Sequence, residues 1–128
     1  MQTTKLPEDV SAVAPDGSEI RFLAGNERAS TVHCTLPAGG VSLAVRHLTV
    51  EEIWYCLEGR GEVWRRLEGR EEVTAFEPGV SLDIPLGAHF QFRNDGDAPL
   101  RFLIATMPPW PGADEAVRVE DHWPTAGG

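Results

Sequence analysis

The chain has 128 residues, 41% hydrophobic and 24% charged, with 20 acidic against 11 basic side chains and a formal charge of −9. That length fits one domain built on one core and leaves little for a second. The acidic balance is spread along the chain and no apolar run approaches the roughly 18 residues of a bilayer span, so neither nucleic acid nor a membrane is an expected partner.

Residues 1–9 hold one lysine, two acids and no apolar run of the kind a secretory signal needs, so a cytoplasmic location is the expectation. Ten prolines and thirteen glycines leave no uninterrupted helical pattern longer than about two turns. Between these breaks lie short segments rich in β-branched and aromatic residues, and the spacing predicts strands over 19–23, 30–36, 41–48, 53–58, 61–67, 71–76, 81–84, 89–94 and 100–107. Two cysteines, Cys34 and Cys56, fall inside such segments and form no C-x-x-C pair; reduced, buried thiols are expected.

The turns set some of the pairings. Leu57-Glu58-Gly59-Arg60-Gly61 and Leu67-Glu68-Gly69-Arg70 are reversals within a meander, and Asn94-Asp95-Gly96-Asp97 is a third. Arg60, Arg65, Arg66 and Arg70 are interleaved with Glu58, Glu62, Glu68, Glu71 and Glu72, which reads as a solvated hairpin surface. Pro108-Pro109-Trp110-Pro111-Gly112 is too rich in proline to pair inside a sheet, so residues 108–128 are expected to run as an arm over the barrel or across a partner subunit. A helical turn is expected over 114–119. The chain thus reads as a single all-β domain spanning residues 1–128, an antiparallel sandwich or barrel with its core over about 19–107.

Two spaced motifs narrow the fold further. His47, four residues, Glu52, six residues and Gly59 make the first; Gly79, five residues, Pro85-Leu86-Gly87, two residues, Phe90 where the pattern has a histidine, three residues and Asn94 make the second. In order and separation they resemble the two signatures of the cupin family, and with their spacer they cover about residues 41–107. The resemblance implies a jelly-roll barrel, a double-stranded β-helix, with a small-molecule site in its interior.

In metal-binding cupins, two histidines and a glutamate of the first signature and a histidine of the second hold one divalent ion. Carried over residue by residue, those positions fall on Val45, His47, Glu52 and Phe90. Only His47 and Glu52 keep a donor. His89 stands one position early and becomes a ligand only if a bulge at Ala88 rotates the strand. The metal set under that reading is His47, Glu52 and His89, with one divalent ion of unknown identity; the alternative is a metal-free barrel in which His47 and Glu52 are a hydrogen-bonded or acid–base pair.

Strand alternation places Val45, Trp54, Cys56, Phe90 and Phe92 toward the interior as pocket lining or ordinary core, and His33 either joins them or stays at the surface. Arg21 reaches an anionic ligand or pairs with a surface acid; His122 has no evident link to chemistry. The expected function is small-molecule processing of isomerase, cyclase, lyase or, with a metal, dioxygenase type, with His47 and Glu52 as catalytic residues. The competing expectation is a non-catalytic protein that binds a metabolite. A homodimer is expected, through the sheet edge at 18–23 and the arm.

Overall fold

Period-two alternation decides which side of each strand is buried, and it places the same short segments in two facing sheets. The structure is a computed structural model that describes residues 1–125. Its strands are β1 (Ala12–Val13), β2 (Glu19–Gly25), β3 (Ser30–Leu36), β4 (Val45–His47), β5 (Glu51–Glu58), β6 (Gly61–Leu67), β7 (Arg70–Phe76), β8 (Ser81–Ile84), β9 (His89–Arg93), β10 (Leu100–Met107) and β11 (Ala116–Arg118). One sheet has the order β1-β2-β3-β10-β5-β8 and the other β11-β4-β9-β6-β7, with antiparallel pairing throughout. The result is the expected all-β sandwich.

Strand β10 shows how alternation builds the core. Leu100, Phe102, Ile104 and Thr106 are buried while the residues between them are partly exposed. Opposite them on β5, Glu52, Trp54 and Cys56 face inward while Glu51, Ile53 and Tyr55 face out. Trp54 lies 4.7 Å from Phe102 and 5.3 Å from Phe92, and Phe76 lies 5.2 Å from Phe102. These rings fill one half of the interior with edge and tilted contacts that suit aromatic quadrupoles.

The reversal at 57–61 allows no side chain. Gly59 has φ of 78°, and a Cβ there would lie 2.3 Å from the Pro99 carbonyl oxygen. A Cβ on Gly61 would lie 2.2 Å from that of Arg93. Glycine is what lets the β5–β6 hairpin pass this close to the two neighbouring segments.

Three expectations need correction. The strand expected over 41–48 is paired only over Val45–His47, with a single bridge from Val41 to Arg93. Ser42 replaces the missing ladder, its Oγ accepting from Phe92 N at 3.0 Å. The helical turn expected over 114–119 is a 3-10 turn at Ala113–Glu115 followed by β11, which pairs with β4. The chain leaves the turn to pair with β4, and the Glu115 carboxylate accepts from the backbone N–H groups of Leu48 and Thr49. The segment 18–23 is not a bare edge either, since β1 pairs with its first half through Ala12 with Ile20 and Val13 with Glu19.

The arm runs over the barrel. Gln91 of β9 is fully buried because the segment at 122–123 lies on it, and all its amide hydrogen-bonding capacity is used. Its Nε2 donates to the carbonyls of Ser42 and Trp123, and its Oε1 accepts from His122 N and Trp123 N, all at 2.8 to 2.9 Å. His122 stacks on Trp64 at 5.0 Å, and the Arg93 guanidinium lies 4.5 Å above the Trp123 ring. No helix among the described residues is long and apolar enough to cross a membrane.

Candidate functional site

The half of the interior not filled by aromatic core is a cavity of about 460 Å³, within the range usual for small-molecule sites. Its floor is Glu52 and Trp54 of β5, Ile104 and Thr106 of β10, Val45 and His47 of β4, and Phe90 of β9. Residues 12–16 of the N-terminal ribbon and Trp110, Ala113 and Ala116 of the arm close over it.

Glu52 is 6% exposed and anchored from two directions. Trp54, two residues along the same strand face, donates its Nε1–H to Glu52 Oε1 at 3.1 Å. Thr106, the register partner across β10, donates its hydroxyl to Oε2 at 2.6 Å. Burial nevertheless dominates, because neither neighbour carries charge, and the carboxyl pKa is raised to about 7 against the pull of both hydrogen bonds. Indole can only donate, so Oε1 must remain an acceptor and the titrating proton belongs on Oε2.

His47 is 4% exposed and lines the same cavity. Its ring meets Phe90 edge-on at 5.1 Å and Trp110 at 5.3 Å. Nδ1 is buried without a hydrogen-bond partner. Burial lowers its pKa to about 4, and Glu115 opposes this only partly. His47 is therefore a neutral imidazole at pH 7. It makes no hydrogen bond to Glu52, whose partners are Trp54 and Thr106, so the hydrogen-bonded pair expected from sequence is not formed.

A third ionisable group enters from outside the motifs. Asp16, in the turn before β2, lines the cavity and accepts from Ser18 N at 2.9 Å and Ser18 Oγ at 2.6 Å. Burial raises its pKa despite those bonds, and its charge in turn raises that of Glu52.

The structure divides the residues expected from sequence. His47, Glu52, Val45, Trp54 and Phe90 all line the cavity. Cys56 and Phe92 point inward as expected but belong to the packed half and do not line it. His33 faces away from the interior, pairing in register with Arg21 and Leu103, where burial and the charges of Arg101 and Arg21 lower its pKa. Arg21 donates to the Glu8 carbonyl at 3.2 Å and does not line the cavity. Cys34 and Cys56 are buried free thiols.

His89 does not join His47 and Glu52. It lies opposite Arg66 at the start of β9, off the cavity, and burial with the nearby Arg66 and Arg46 lowers its pKa. The alternation at 89–90 is regular, so no bulge turns the ring inward; Phe90 takes the interior position and pairs in register with Val45. The two apolar replacements thus meet at the positions where the resemblance implied ligands. Among the described residues no three of His, Cys, Asp and Glu are grouped to hold an ion, and both Glu52 oxygens already accept hydrogen bonds. The residues present do not fit the divalent metal that the motifs implied.

Asp16, Thr106, Trp110 and β1 were missed from the sequence. The alternation of β10 placed Thr106 inward, and its register with β5 would have identified it; the ribbon and arm carry no local signal.

Comparisons with known proteins bear on the fold. Residues 32–106 match the family described as Cupin domain. The chain is 31% identical over 110 residues to the uncharacterized protein MJ1618 of Methanocaldococcus jannaschii, covering 82% of this chain and 85% of that one. Among solved structures it is similar to a predicted oxalate decarboxylase from Thermotoga maritima, at a TM-score of 0.67 and 19% identity, covering 84% and 99% of the two chains. It is also similar to the oxalate decarboxylase of Bacillus subtilis, described with Mn(II) centres, at a TM-score of 0.67 and 17% identity over 80% of this chain and 28% of that one. At these identities the structural likenesses establish the double-stranded β-helix fold and nothing finer.

Proposed function

This chain belongs to the cupin domain family, and from that premise we propose that it binds a small, largely apolar organic molecule in the barrel and that Glu52 exchanges a proton with it. One observation carries the reading: a buried carboxyl in a cavity wall with a pKa of about 7. Such a group is present in both protonation states at neutral pH, which is the condition for an efficient general acid or base. Thr106 and Trp54 fix the carboxyl plane and direct the exchangeable proton to Oε2. His47 serves as a neutral acceptor beside the reacting atoms. Proton transfer of this kind suits isomerisation, cyclisation or elimination.

A second reading, binding without chemistry, is favoured by the fact that both Glu52 oxygens are already engaged within the protein. Exchange in deuterium oxide separates the two. Apolar carbonyl compounds offered to the wild-type protein should gain deuterium next to the carbonyl, as read by proton NMR, and Glu52→Gln should abolish the gain. Val45→Trp, which fills the cavity, should abolish binding itself. Ligands that bind the wild type but gain no deuterium would leave the binding-only reading standing.

A further inference from the structure

We propose that the ligand carries a single positive charge: an organic ammonium ion with an apolar or aromatic body, seated against the acid side of the cavity. The proposal rests on the barrel cavity being the ligand site and specifies what that site selects.

The first observation is a charge asymmetry. Asp16 and Glu52 both line the cavity, whereas no arginine or lysine does among the described residues. Arg21, which the sequence offered as an anion partner, is spent on the Glu8 carbonyl. Arg65 is held by Glu72 at 2.5 Å, and Arg93 by Glu62 at 2.6 Å. A carboxylate or phosphate brought inside would face two acids and no cation, and would lose its hydration with nothing in return.

The second observation is the wall. Trp110, His47, Phe90 and Trp54 follow one another at ring separations of 5.3, 5.1 and 5.6 Å, and with Phe22 all of them line the cavity. Aromatic faces beside carboxylates attract an ammonium through the ring quadrupole and through direct ion pairing. His47 contributes a third: it is buried, its Nδ1 has no partner, and as a neutral imidazole it adds no opposing charge.

These features point away from oxalate, the substrate class named for the structural neighbours. A dianion that small and polar needs cationic side chains or a metal-binding donor set, and among the described residues the cavity lining has neither.

Three probes of nearly equal shape test the inference by calorimetry: 2-phenylethylammonium, neutral 2-phenylethanol and anionic 3-phenylpropanoate. The ammonium should bind roughly tenfold or more tightly than the alcohol, with no detectable uptake of the carboxylate. Glu52→Gln and Asp16→Asn should each shrink the preference for ammonium over alcohol by about tenfold. His89→Ala, off the cavity, should leave all three unchanged. A carboxylate that binds as tightly as the ammonium, with both lost in Val45→Trp, overturns the charge inference and leaves the cavity reading intact. Binding that survives Val45→Trp, or no binding by any probe, overturns both.

Discussion

Glu52 on β5 and Thr106 on β10 face each other in register, and the threonine hydroxyl donates to Glu52 Oε2 at 2.6 Å. This bond lowers the carboxyl pKa against a larger opposing effect of burial. Thr106→Val removes the donor with little change of shape, so the Glu52 pKa should rise further, by about one unit or more. Carbon-13 NMR titration of the labelled carboxyl measures it; an unchanged or lowered midpoint would show that Thr106 does not stabilise the anion.

The two ionisable groups of the floor oppose each other in their effect on stability. Glu52 has its pKa raised to about 7 from an ordinary value of 4.5, so stability present at acid pH is lost as pH rises through 7. His47 has its pKa lowered to about 4 from 6.5, so stability present at neutral pH is lost as pH falls through 4. Each shift corresponds to about 3 kcal/mol, and the two slopes largely cancel between pH 4.5 and 6.5. Relative to the wild type, Glu52→Gln should gain stability as pH rises from 4.5 to 7, and His47→Asn should lose stability as pH rises from 4 to 6.5. Urea denaturation across that range gives both curves.

The apolar pair Val45 and Phe90 occupies the two positions where the motifs implied ligands. Installing histidines at both, as Val45→His with Phe90→His, should create divalent-ion binding together with His47 and Glu52. Elemental analysis after purification should show a stoichiometric ion in the double variant, lost again when His47 is changed to Ala. Exchanging the Phe90 ring for a smaller polar group should also cost about 2 to 4 kcal/mol of stability in the absence of metal.

Gln91 joins the arm to β9 through three hydrogen bonds, and a fourth runs to the Ser42 carbonyl. Ending the chain at Asp121 removes three of the four hydrogen bonds of that amide and uncovers Trp64. A loss of about 2 to 4 kcal/mol is expected by urea denaturation, with near-ultraviolet dichroism reporting the freed indole.

What was legible in the sequence follows from what acts locally. Alternation identified the inward faces of β4, β5 and β9, which is why Val45, His47, Glu52, Trp54 and Phe90 meet at one cavity. It could not tell a lining residue from a core residue on the same face. Cys56 and Phe92 satisfy the same period as Trp54 and Phe90, but they lie at the end where Phe76 and Phe102 leave no space. Depth along the barrel depends on the register of several strands together. Asp16 and Trp110 escaped for a related reason: they reach the cavity from the N-terminal ribbon and the arm, far apart in the chain. The strand at 116–118 was unreadable because β4, its only neighbour among the described residues, lies some 70 residues away.

Trp110 and Trp54 border the empty space, whereas Trp64 lies under His122 and Trp123 under Arg93. Two of the four indoles are therefore sensitive to what enters the barrel while two report on the arm. With Trp110 changed to Phe as a control, the emission spectrum becomes a native, label-free gauge of occupancy, able to follow the arrival of a colourless molecule in real time.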